Sequence, residues 1–125
     1  MATPKLKPAT TYPSVLGAVL VHHRKAKGMP QAELAEAAGL SQPAWSRIEN
    51  GGSPITIEQL VTAATALGLN PGELIAATDK AVAHLRRQGV TVDPQRMEGL
   101  LRGAQIALGL AALIALLTTL LSDSD

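Results

Sequence analysis

The side chains that most often carry chemistry in small proteins are sparse in this chain. There is no cysteine, so disulfides, thiolate metal sites and cysteine nucleophiles are excluded. His22 and His23 are adjacent, and neighbours on a helix project about 100° apart. They cannot offer the i, i+4 face that a metal ion would need. The remaining His, Asp and Glu positions form no spacing suited to a metal or to a general acid and base. Neither enzyme activity nor a cofactor is expected. The chain is instead organised around one stretch, QAELAEAAGLSQPAWSRIEN, from Gln31 to Asn50.

The elements that must hold this stretch are two short helices joined by a tight turn. Leu34, Ala35, Ala38, Leu40, Trp45 and Ile48 recur at helical spacing on either side of a break at Gly39. Ala35 is small where two crossing helices must approach, and Gly39 can take the positive φ that ends the first helix. Ser41 suits the N-cap of the second helix, and Pro43 is tolerated in its first turn because no intrahelical N–H is lost there. Trp45 belongs to the core. This is the physical specification of a helix-turn-helix, whose second helix lies in the DNA major groove.

The run ELAEAAGLS…SRIENG, followed by ITIEQLVTAATALGLNPGEL, closely resembles the Cro/phage-repressor (XRE-type) helix-turn-helix domain over residues 14–78. The resemblance implies an all-α fold, a five-helix lambda-repressor-like domain, bound to double-stranded DNA. It implies that Gln31 approaches a phosphate with its side chain and N–H. Gln42, Pro43, Ser46 and Arg47 are implied to face the groove, with Gln42 suited to adenine and Arg47 to guanine. Asn50 and the N–H groups of Gly51 and Gly52 are implied to meet backbone phosphate. Arg24 is implied to pair with Glu49 as a structural ion pair. Pro43 and Gly52 depart from the family's usual polar residue and lysine, and both departures lower the expected affinity.

The rest of the chain frames this reader. Residues 1–12 are aperiodic and rich in Pro, Thr and Lys, and read as a flexible arm. Residues 13–89 read as the DNA-binding domain. Its first helix runs from about Pro13 to Lys27, with Leu16, Val19 and Leu20 inward. Thr56 with Gln59 forms a capping box for a fourth helix, and Asn70-Pro71-Gly72-Glu73 opens a fifth that runs to about Gln88. Residues 1–79 carry six basic and six acidic side chains. A neutral reader gains little from phosphate neutralisation, so several copies are needed for useful affinity.

Residues 90–93 read as a linker, 94–121 as one long apolar helix and 122–125 as a tail. Between Arg102 and Asp123 lie 20 uncharged residues, about 30 Å of helix and so about the hydrocarbon thickness of a bilayer. A helix apolar all round must be buried all round. With helices one to five committed to their own core, lipid or other copies are expected to cover it. Basic residues before the segment and acids after it fit a cytoplasmic reader anchored by its tail. The small stripe Gly103, Ala107, Ala111 and Ala115 suits close helix packing in lipid. Leu110, Leu113 and Leu117 suit a soluble oligomeric bundle. Both alternatives give a homodimer or higher homo-oligomer. The expected function is a sequence-specific transcriptional regulator, as a repressor. The alternatives are a membrane-tethered interaction module that need not read DNA, and an antitoxin-type autorepressor.

Overall fold

A computed structural model describes residues 7–94 and 105–122, and these form six helices and three short strands. In chain order they are β1 (Lys7–Thr11), α1 (Tyr12–Ala26), α2 (Gln31–Ala37), α3 (Gln42–Glu49), α4 (Ile57–Ala66) and α5 (Pro71–Arg87). Then follow β2 (Thr91–Asp93), β3 (Gln105–Ala107) and α6 (Leu110–Ser122).

Local signals account for most of the helix starts. Thr11 caps α1 by accepting a hydrogen bond from the Ser14 N–H at 3.1 Å. Ser41 caps α3 through the Ala44 N–H at 3.3 Å. At α4 both halves of the capping box form: Gln59 N–H donates to Thr56 Oγ1 at 3.1 Å, and Thr56 N–H donates to Gln59 Oε1 at 2.9 Å. Asn70 caps α5 through the Glu73 N–H at 2.9 Å. Each such cap contributes about 1 kcal/mol.

The core is built around α1. Its residues from Ser14 to Val21 are all buried, so the helix is wrapped on every side. α3 and α5 pack against it, and α6 covers it from a further direction. Leu113 and Leu117 of α6 are fully buried in the same cluster as Val15, Val19, Leu74 and Leu85. Tyr12 Oη donates to Asp79 Oδ1 at 2.7 Å, which ties the start of α1 to α5. Burial, and then that bond, hold the Tyr12 phenol well above its ordinary range.

The periphery differs from the sequence expectation in three places. Lys7–Thr11 lies inside the stretch expected to be a flexible arm, yet it is the central strand of a parallel sheet ordered β2-β1-β3. Ala9 pairs with Thr91 on one side, and Lys7 pairs with Gln105 on the other. Pro8 lacks an N–H, which is tolerable because only β3 flanks it; the pairing with β2 begins at Ala9. The expected linker contributes β2, and Arg86 Nη2 donates to the Val92 carbonyl at 3.2 Å.

The third difference is a correction. The expected single helix over 94–121 does not form. Gln105–Ala107 is extended against β1, the Leu108 N–H donates to the Ala9 carbonyl at 2.7 Å, and the helix that follows spans only Leu110–Ser122. Its 13 residues span about 20 Å, against about 30 Å of hydrocarbon. Among the described residues no single helix is long and apolar enough to cross a membrane. Of the residues expected to serve an oligomer or bilayer, Leu113 and Leu117 face the chain's own core, and Leu110 is half-buried. Ala111 and Ala115 are exposed, Ala107 lies in β3, and Gly103 falls outside the described residues.

Candidate nucleic-acid interface

The helix-turn-helix is set by two glycines and one buried carboxylate. Gly39 takes φ +74 at the end of α2, where a Cβ would meet nothing, so backbone conformation alone calls for glycine. Gly17, in the middle of α1, matters for a different reason. A Cβ there would collide with the Glu49 carbonyl and lie 2.9 Å from the Ile48 carbonyl oxygen. Glycine at 17 therefore lets α1 touch the backbone of α3, and its place inside an apolar run gave no hint of this contact.

Glu49, at the last position of α3, is 1% exposed and accepts four hydrogen bonds. Arg24 Nε donates to Oε2 at 2.8 Å and Arg24 Nη2 donates to Oε1 at 3.1 Å. Gln31 Nε2 donates to Oε1 at 2.7 Å, and Trp45 Nε1 donates to Oε2 at 2.7 Å. Each carboxylate oxygen thus receives two donors, which fills its acceptor capacity. Arg24 also donates through Nη1 to the Met29 carbonyl at 3.0 Å, fixing the turn before α2. The ion pair therefore locks α1, α2 and α3 together. Trp45 is fully buried and also supplies a donor to the network.

The network reaches the surface through Gln31. An ionised carboxylate only accepts, so Gln31 must turn its NH₂ toward Glu49 and its oxygen outward. Gln42 Nε2 donates to that oxygen at 3.3 Å. Gln42 is exposed, and it is left with one free amide hydrogen and its own oxygen. Those are the donor and acceptor that adenine N7 and N6 require. The amide is thus held in a fixed polarity by a chain of hydrogen bonds that ends in a buried charge.

Along α3, Trp45, Ile48 and Glu49 face inward. Gln42, Pro43 and Arg47 are exposed and Ser46 is half-buried. Asn50 follows, exposed, and donates its side-chain amide to the Ser46 carbonyl at 2.8 Å. The free face of the helix is therefore polar apart from Pro43.

Gly51 and Gly52 call for a correction. The Gly51 N–H donates to the Ile48 carbonyl at 3.0 Å, and the Gly52 N–H to the Arg47 carbonyl at 2.8 Å. Together they close α3 in the 6→1 and 5→2 pattern of a Schellman cap. These N–H groups are already committed and do not await a phosphate. Gly51 instead has φ +77 and packs on Ser14, where a Cβ would fall 2.6 Å from Ser14 Cα. At the start of α2, Pro30 supplies no side-chain cap. The Glu33 N–H donates to the Pro30 carbonyl at 3.1 Å, which leaves the Gln31 and Ala32 N–H groups without an intrahelical acceptor and open to an anion.

Other groups singled out in the sequence stay apart from this face. His22 and His23 sit edge to face with ring centroids 5.2 Å apart, on the C-terminal half of α1. Burial, and secondarily the neighbouring His22, lower the His23 pKa. Among the described residues no group of three or more metal-ligating side chains comes together.

A family model described as a helix-turn-helix domain matches residues 15–77. The crystal structure of the clp gene regulator ClgR from Corynebacterium glutamicum is 30% identical, covering 62% of this chain and 82% of that one, with a TM-score of 0.59. The wild-type restriction-modification controller protein C.Esp1396I is 25% identical, covering 58% of this chain and 95% of that one, with a TM-score of 0.53. A search of curated protein sequences found no match.

Proposed function

This chain belongs to the XRE-type family of helix-turn-helix DNA-binding proteins, and from that premise we propose that it regulates transcription by laying α3 in the major groove of a specific operator. The observation that carries this reading is the Glu49–Gln31–Gln42 chain, which holds an exposed amide in the polarity that adenine needs. Arg47, five residues further along α3 and also exposed, is suited to guanine O6 and N7. Ser46 and Asn50 flank these two. The open first turn of α2 beside Gln31 is suited to a backbone phosphate.

One copy would bind weakly, because residues 1–79 carry no net charge. The reading therefore includes a pair of copies on two half-sites about 10 bp apart, so that both recognition helices meet one face of the duplex. Repression by occupancy is the simplest outcome of such binding. ClgR is a clp gene regulator and C.Esp1396I a restriction-modification controller protein, and both share this fold. The test is selection of bound duplexes from a randomised pool by the full-length protein. Two related half-sites with that spacing are expected. A pool that stays unenriched after repeated rounds would sink the proposal.

A further inference from the structure

Between the start of α1 and the α3–α4 loop lies a cavity of about 190 Å³. Leu16 and Ile48, both buried, form its inner wall. Tyr12, Ser53 and Ile55 are half-buried and Pro54 is exposed, so the cavity opens to solvent on the loop side. No carboxylate, ammonium, guanidinium or imidazole lines it. The Tyr12 hydroxyl already donates to Asp79 Oδ1. Ser53 brings the uncommitted polar side chain, since among the described residues its hydroxyl has no hydrogen-bond partner. An ordered water needs about two to four polar partners, and walls this apolar offer few. Water is therefore held poorly here, and an apolar occupant displaces it at little cost.

We propose that this cavity binds a small uncharged ring compound carrying one hydroxyl, of the phenol class. The ring lies against Leu16 and Ile48, and the hydroxyl meets Ser53. Volume sets the ring size. An apolar cavity of about 150 Å³ accepts benzene, and this one leaves room for a substituent. The absence of a lining charge excludes acids and amines, which would lose their hydration with no counter-ion to replace it. A rigid ring is preferred to a flexible chain, because it has little conformational freedom to lose on binding. The occupant touches Ile48, the penultimate residue of α3, and the loop that follows, so a ligand here bears on the last turn of the recognition helix. The site itself does not depend on the DNA reading given above.

The test is an amide-resolved NMR titration of the full-length protein, without DNA, using phenol, toluene and benzoate as probes. Phenol is expected to saturate with a dissociation constant on the order of 1 mM, within the bound for so small a ligand. The shifted amides should cluster at Leu16, Ile48, Ser53 and Ile55, and benzoate should leave them in place. Ser53→Ala should weaken phenol about 5-fold, the worth of one neutral hydrogen bond, and leave toluene unaffected. Ile55→Phe, which fills the cavity from its loop side, should abolish binding of both in a protein that still melts cooperatively. Leu116→Ala, on the exposed face of α6, should bind both as wild type does. The proposal is overturned if phenol fails to saturate by about 10 mM, tenfold above the expected constant. It is equally overturned if benzoate binds as well as phenol, or if the folded Ile55→Phe protein still binds. Equal affinity for phenol in Ser53→Ala and wild type, or an equal loss of phenol and toluene in that variant, would also overturn it.

Discussion

Replacing Arg24 by alanine isolates the interaction that locks the recognition helix to the domain. The change removes two hydrogen bonds from Glu49 and one from the Met29 carbonyl. Glu49, 1% exposed in the native chain, keeps only the neutral donors of Gln31 and Trp45. Breaking one side of a buried ion pair costs roughly 3–5 kcal/mol, chiefly because a charge is left buried without its partner. The two surviving donors place this case at the lower end, at about 3 kcal/mol. For a chain of this size that corresponds to a fall in Tm of about 10–15 °C. Circular dichroism against temperature and against urea would measure it, alongside Glu49→Ala and the double variant. The double variant should cost about 2 kcal/mol less than the sum of the singles, because it removes both charges together. A loss below about 1 kcal/mol for Arg24→Ala, or additivity within about 0.5 kcal/mol, would refute the structural role of the pair.

Three further outcomes follow from the same geometry. Gly39→Ala should cost about 1–2 kcal/mol, the strain of a left-handed residue in open space. Gly51→Ala should cost clearly more, because its Cβ also collides with Ser14; equal losses in chemical denaturation would contradict the packing described. Leu113→Ala should cost about 2–5 kcal/mol and Leu116→Ala well under 1. Similar small losses for both would mean that α6 is not docked on α1. His23 has a lowered folded-state pKa, so the unfolded chain binds its proton more readily and stability falls as pH drops below about 6.5. A His23→Gln protein should show a shallower decline between neutral pH and pH 5, and an unchanged slope in the denaturation curves would speak against it.

The reader domain was legible in the sequence because its signals are local. Ser41, Thr56 with Gln59, and Asn70 with Glu73 each act within three residues, and each forms its cap. Glycines after α2 and α3 mark the ends of those helices in the same local way. The parallel sheet has no such signature. Its strands are three to five residues long and pair across most of the chain, and Pro8 in β1 argues against a strand when read alone. A signal for α6 docking did exist. Val15 to Val21 contains no polar side chain that α1 could turn to solvent, so the helix-turn-helix elements could cover only part of it. The rule that a helix apolar all round must be wrapped all round applied to α1 as well as to the C-terminal segment, and the two satisfy each other. At the interface, the side chains of α3 could be named from the motif. The anchoring of Gln42 through Gln31 to Glu49, and the commitment of the Gly51 and Gly52 N–H groups to the helix cap, required coordinates.

The central claim is that α3 reads base edges through Gln42 and Arg47. It is tested most directly on an operator recovered by selection, by comparing the ratio of specific to non-specific affinity for wild type and the Gln42→Ala/Arg47→Ala protein at one salt concentration. Each lost bidentate contact removes about 1–3 kcal/mol of discrimination, so the ratio should collapse by about 30-fold or more while the melting transition stays in place. An unchanged ratio in a folded double variant would contradict the account.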